Sequence, residues 1–134
     1  MRMILTALAL IAASAAGAPA QPETVERSRT VFAVLCEDDP AMTQIRETAL
    51  DAHLAHVAAH VERYAIAGPL LDETGAMTRS LFLIYAENEA EARAFMARDP
   101  YVAGGLYAQM EYRRFVPAAG QWIGGVIWDQ PRDR

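Results

Sequence analysis

Lysine is missing from this chain: all twelve basic residues among its 134 are arginine. That is a compositional bias with no functional content of its own. Basic clusters are missing too, and the net charge is −5, which argues against nucleic acid or an anionic membrane surface as a partner. Cysteine occurs once, so Cys36 has no intramolecular disulfide partner. Its place in an apolar run points to burial rather than to a bridge between subunits. Beyond residue 20 no apolar stretch approaches membrane-spanning length. The sequence holds no glycine-rich phosphate loop, nucleophile elbow, dinucleotide fingerprint, His-Glu-x-x-His or paired-cysteine motif, so it carries no signature of a cofactor or metal.

What is present begins with an address. Met1-Arg2 supplies a positive start, an apolar run follows to about Ala16, and Ala18-Pro19-Ala20 has the small-x-small pattern of a cleavage site. Residues 1–20 therefore read as a signal peptide, cut before Gln21, and the protein as periplasmic or secreted. An uncleaved anchor is the alternative; no cysteine sits at the cut to carry a lipid. Residues 21–29 form a polar leader, 30–116 a single domain and 117–134 an apolar tail with Trp122, Ile123, Val126, Ile127 and Trp128.

Within the domain, Thr30–Cys36 is a short run of strand formers ending in the acidic turn Glu37-Asp38-Asp39-Pro40. Asp39 is placed to cap a helix with Pro40 at its first position. The main helix runs to about Arg63. Tyr64–Leu71 reads as a strand interrupted by Gly68-Pro69, which implies an edge or, more simply, a β-bulge. Ser80–Ala86 is a second apolar strand after the turn Asp72–Gly75. Asn88 and Glu91 have capping-box spacing before a helix with Ala92, Phe95 and Met96 inward, ended by Asp99-Pro100. Tyr107–Val116 alternates as a last strand after Gly104-Gly105. Met77, Met96 and Met110 read as core filler.

This order, β-α-β-β-α-β, predicts a ferredoxin-like α+β fold: a four-stranded antiparallel sheet with two helices on one face. Yet Thr30–Cys36 and Ser80–Ala86 are apolar on both alternating faces. The uncovered face implies a homodimer packed sheet to sheet, or a monomer sheltered by its own tail.

The helix holds all three histidines. At 100° per residue, Leu50, Leu54, Val57 and Val61 form one stripe, expected to face the core. His53, His56 and His60 form another, about a quarter-turn away, at the border of that core. Such a border position suits proton transfer near neutral pH. It equally suits a histidine bonded to a backbone carbonyl. His56 and His60 have the spacing to share a metal ion, but no third ligand is evident and His56 reads as solvated.

His53-Leu54, Ala67-Gly68-Pro69-Leu70, Arg79-Ser80, Asp99-Pro100-Tyr101 and Tyr112–Phe115 occur in an order and spacing that resembles the YCII-related family. The resemblance covers about Val31 to Val116. It implies a dimeric α+β barrel of ferredoxin-like subunits and a pocket with a histidine and an aspartate, here His53 and Asp99. In that respect it is similar to muconolactone isomerases and to a chloro-lactone dehydrochlorinase. Of the arginines that members often carry before the histidine, only Arg46 remains on that helical side.

A carboxylate on one ring nitrogen fixes the tautomer and supports the imidazolium, leaving the other nitrogen to take a proton. His53 and Asp99 are thus candidate catalytic residues for an isomerase or lyase acting on a small carbonyl or lactone compound. Asp99 also has the simpler reading of a helix terminator bonded to local amides. Ser80 and Tyr101 are candidate donors to a bound oxygen, and Gly68 and Pro69 are placed to open space beside the sheet. The alternative is a dimer that binds a small molecule, or serves as an accessory module, without chemistry.

Overall fold

Strand β1, Val31–Asp38, is the spine of the sheet in this computed structural model, which describes residues 29–121 and the short strand at 125–126. It is followed by α1 (Ile45–Thr48), α2 (Leu50–Ala59), a 3₁₀ turn (Val61–Arg63) and β2 (Tyr64–Leu71). Then come β3 (Met77–Tyr85), α3 (Glu89–Met96), α4 (Pro100–Ala103) and β4 (Tyr107–Phe115). Ala119–Gly120 (β5) pairs with Gly125–Val126 (β6) in a small separate ladder. The signal segment, the leader through Ser28 and the tail's Trp122, Ile123, Ile127 and Trp128 lie outside the described residues.

The four long strands lie in the order β2-β3-β1-β4, antiparallel throughout, which is the ferredoxin-like arrangement. Alternation decides the rest. Phe32, Val34 and Cys36 of β1, Phe82 and Ile84 of β3 and Tyr112 of β4 share the inner face. Ala92, Phe95 and Met96 of α3 close onto them, as their spacing predicts. The other face carries the pairs Ala33–Leu83 and Leu35–Leu81, with Ile66 and Leu70 of β2 beside them.

The expected caps are met at Asn88, with a change of partner, but not at Asp39. Asn88 accepts the Glu91 amide at 2.9 Å, while Glu91 reaches back to the amide of Glu87 rather than of the cap itself. Asp39-Pro40 starts no helix: Asp39 accepts the amide of Ala41, a two-residue turn that satisfies the side chain locally. The chain stays extended two residues beyond Cys36, so Glu37 and Asp38 belong to β1. Gly68-Pro69 sits on the edge strand β2, where a missing N–H costs no sheet pairing, but it is no bulge. Pairing is regular from Ile66 to Leu70, and the irregularities fall at either end. Met77 is half exposed rather than core, because it opens β3 beyond the helical cover.

Helix α2 is rotated from the expected setting. Leu50, Leu54 and Val61 are 41, 54 and 65% exposed, whereas His53, His56, Val57 and His60 turn inward, half-buried. The stripes lie about a quarter-turn apart, and only Val57, the member of the leucine stripe nearest the histidines, turns inward with them. The histidine stripe wins because it meets a buried carboxylate and aromatic rings, which a leucine stripe would leave unpartnered. His56 is therefore not a solvated residue.

Candidate active site

Asp99 anchors the site. It precedes Pro100, which cannot continue α3 and instead begins α4, so the Asp99 carboxylate caps the new helix by accepting the Tyr101 amide at 2.9 Å. Its side chain is 0% exposed. A buried carboxylate needs donors in close reach, and the second is His53. The Nδ1 of His53 lies 2.8 and 3.0 Å from the two oxygens of Asp99, across 46 residues of sequence. An ionised carboxylate can only accept, so with Asp99 in that form Nδ1 is the donor and, in the neutral imidazole, Nε2 keeps its lone pair. Nε2 has no partner among the described residues, and 12% of the His53 side chain remains exposed.

The imidazole is enclosed by rings. Tyr101 stacks on it, with ring centres 3.9 Å apart and planes 12° from parallel, and Phe82 meets it edge-on. The Tyr101 hydroxyl does not point at a bound oxygen: it donates to the Arg46 carbonyl at 3.0 Å.

A second polar cluster adjoins the first. Arg46, on α1, gives Nε and Nη2 to the two oxygens of Asp38, and Nη2 also reaches the Ser80 hydroxyl and the Arg79 carbonyl. Ser80 is buried and accepts from the Tyr107 hydroxyl as well, so it serves this cluster rather than facing open space. Burial works against the Arg46 charge, but the hydrogen bond and charge of Asp38 outweigh it and hold its pKa above the usual value. The Tyr107 phenol is pushed up by burial and stays a neutral donor. Cys36 lies in the same interior; burial, then Asp99 and Asp38, push its thiol up to about 12, so it offers no thiolate.

Asp38 and Tyr107 were not legible as site residues. Asp38 reads as part of an acidic turn, and simple alternation from Tyr112 and Met110 places Tyr107 outside. A register shift opposite Glu37 and Asp38 sets Tyr107 against Asp38 instead, turning it inward. Of the other candidates, Pro69 pairs with Ser80 on the inner face. Gly68 pairs with Leu81 on the face away from His53, and a side-chain carbon there would meet nothing within 4 Å. The structure thus brings His53, Asp99 and Tyr101 together, ties Ser80 to Arg46, and leaves Gly68 apart.

His60 bonds its Nδ1 to the His56 carbonyl, and both rings pack on Phe95. The His56 Nε2 is buried with no partner among the described residues, and burial lowers its pKa. Among the described residues no three His, Cys, Asp or Glu side chains are grouped to hold a metal ion. A cleft of about 410 Å³ at the start of β1 and the end of β3, lined by Arg29, Arg63, Tyr85 and Glu91 among others, shares no residue with the His53 cluster.

Residues 30–116 match the profile of the YCII-related domain. Among solved structures, 5-chloro-2-hydroxyhydroquinone dehydrochlorinase (TftG) from Burkholderia phenoliruptrix AC1100, in complex with 2,5-dihydroxybenzoquinone, is similar at 27% identity and a TM-score of 0.58. That match covers 68% of this chain and 96% of the dehydrochlorinase. A dimeric ferredoxin-like protein of unknown function from Thermobifida fusca YX matches at 11% identity and a TM-score of 0.39, over 65% of this chain and 90% of its own. No curated protein matches.

Proposed function

Since the chain belongs to the YCII-related domain family, we propose that it is an acid–base enzyme of the isomerase or lyase type, with His53 as the proton carrier and Asp99 as its support. The observation that carries this reading is the pairing of His53 Nδ1 with both oxygens of a fully buried carboxylate. In that state Nε2 can take a proton from an O–H, or from a C–H beside a carbonyl. The electron pair released becomes a new C=O or C=C bond. In an isomerisation the proton returns elsewhere on the same molecule; in an elimination the leaving group departs with its own bonding pair. Asp99 favours the imidazolium that forms. Covalent catalysis by Cys36 is disfavoured, because its thiol stays protonated.

The substrate is a small carbonyl compound, or a phenol that becomes one when its O–H proton is removed. The similarity to a dehydrochlorinase of a chlorinated hydroxyhydroquinone makes a hydroxylated, quinone-forming ring a stronger candidate than a lactone. The test is chloride release from 5-chloro-2-hydroxyhydroquinone under anaerobic conditions, against a lactone of similar size. Catalytic release, proportional to enzyme, is the expected result. Saturable binding of 2,5-dihydroxybenzoquinone with neither compound turned over would overturn the enzyme reading and favour a binding module.

Export and self-association belong to the same proposal. The apolar residues that remain accessible on the outer face, with Ala33, Leu35 and Leu81 half-buried and Ile66 and Leu70 exposed beside them, support a sheet-to-sheet dimer. Protein recovered from a secreting host is expected to begin at Gln21 and to run in solution at twice its chain mass. An intact Met1, or a monomer at micromolar concentration, would remove the corresponding part.

A further inference from the structure

We infer that Tyr101 is a positioning residue for His53, held in place by the Asp38–Arg46 pair, and not a ligand for substrate. The inference rests on the acid–base role proposed for His53. Three contacts carry it. The Tyr101 backbone amide is bound by the same carboxylate that binds His53. Its ring lies face to face with the imidazole at 3.9 Å. Its hydroxyl is spent on the carbonyl of Arg46, and the Arg46 side chain is fastened by two bonds to Asp38, which is 4% exposed.

A single Nδ1–H, shared between the two Asp99 oxygens, fixes where the imidazole is held but not the tilt of its plane, and the lone pair on Nε2 tilts with the ring. A flat ring stacked on its face removes that freedom. Tyr101 in turn cannot tilt, because it is pinned at the backbone by Asp99 and at the hydroxyl by Arg46. The aim of Nε2 is therefore set from β1, through Asp38, Arg46 and Tyr101. That accounts for a nearly buried ion pair beside a site it does not enter, and for a tyrosine where leucine would fill the space. Burial, with the charges of Asp99 and Asp38 and against that of Arg46, raises the Tyr101 phenol, so the hydroxyl remains a donor.

Two variants separate this role from substrate contact. Tyr101→Phe keeps the ring and loses the hydroxyl; Tyr101→Leu loses the ring. The ¹⁵N and ¹H signals of His53 are read together with kcat and KM. For Tyr101→Phe, which keeps the ring but cuts the link to Arg46, ring-current-shifted carbon-bound protons, a loss in kcat of about 5- to 10-fold and an unchanged KM are expected. For Tyr101→Leu, averaging of those signals and a loss in kcat of roughly 10- to 100-fold are expected, with KM nearly constant. If the leucine variant does not fold, Tyr101→Met supplies a ringless side chain of similar bulk. A rise in KM of about tenfold or more in Tyr101→Phe would show that the hydroxyl contacts substrate and overturn the inference. So would unchanged His53 signals in the ringless variants. The spectra need no turnover, so failure to find a substrate would count against the proposed activity and leave this inference to be decided by the NMR signals.

Discussion

Replacing His53 by Asn is expected to lower kcat and kcat/KM together by roughly 10²–10⁴-fold while leaving the fold nearly intact. The choice of Asn matters. Its Nδ2 occupies the place of the imidazole Nδ1 and still donates to Asp99, so the buried carboxylate keeps its partner. His53→Ala would instead leave that carboxylate with the Tyr101 amide as its remaining described donor, at a cost of about 1–3 kcal/mol. Lost activity would then be confounded with lost structure. Asp99→Asn is the complementary change. The amide oxygen still caps α4, but its NH₂ offers Nδ1 a donor, which moves the imidazole proton to Nε2, where the base is needed. A loss of at least about 100-fold is expected from that inverted tautomer. Steady-state kinetics beside a urea unfolding curve checks both variants. Parental activity in both, with parental stability, would remove the pair from the mechanism.

The elements were legible where hydrophobic spacing and punctuation agreed. Tyr64–Leu71 and the Phe95 face of α3 appear where alternation and the 3.6-residue period place them. The rotation of α2 was not legible. Both of its stripes are reasonable buried faces, and what selects between them is Asp99, 46 residues downstream of His53. Local periodicity does not contain that contact. The same holds for the second cluster. Asp38, Arg46, Ser80 and Tyr107 come from four segments, and a register shift that no residue type announces brings Tyr107 inward. The His53–Asp99 pairing was readable because two short motifs resembling one family carry it. The role of Tyr101 was not, because a hydroxyl spent internally looks the same in sequence as one facing a ligand.

Asp38→Asn is expected to destabilise the fold by about 3 kcal/mol, through loss of the charge that balances Arg46. The side chains are 4% and 14% exposed, so water cannot replace the missing carboxylate as it would on the surface. Arg46 would keep its contacts to Ser80 and to the Arg79 carbonyl, which is why the loss falls short of that for a fully isolated buried charge. For a domain of this size the melting temperature should drop on the order of 10–20 °C. Asp38→Leu combined with Arg46→Met should recover most of that stability, since removing both charges also removes their desolvation cost. A loss under about 0.5 kcal/mol, or one that disappears in high salt, would show that the pair behaves as a surface contact. Activity decides whether the pair also serves the site. Measured well below its melting point, the double variant should regain the fold but lack the fixed guanidinium at Asp38 and Ser80. If that anchor sets Tyr101, kcat should remain low although stability has returned. Recovery of both together would make the ion pair structural alone.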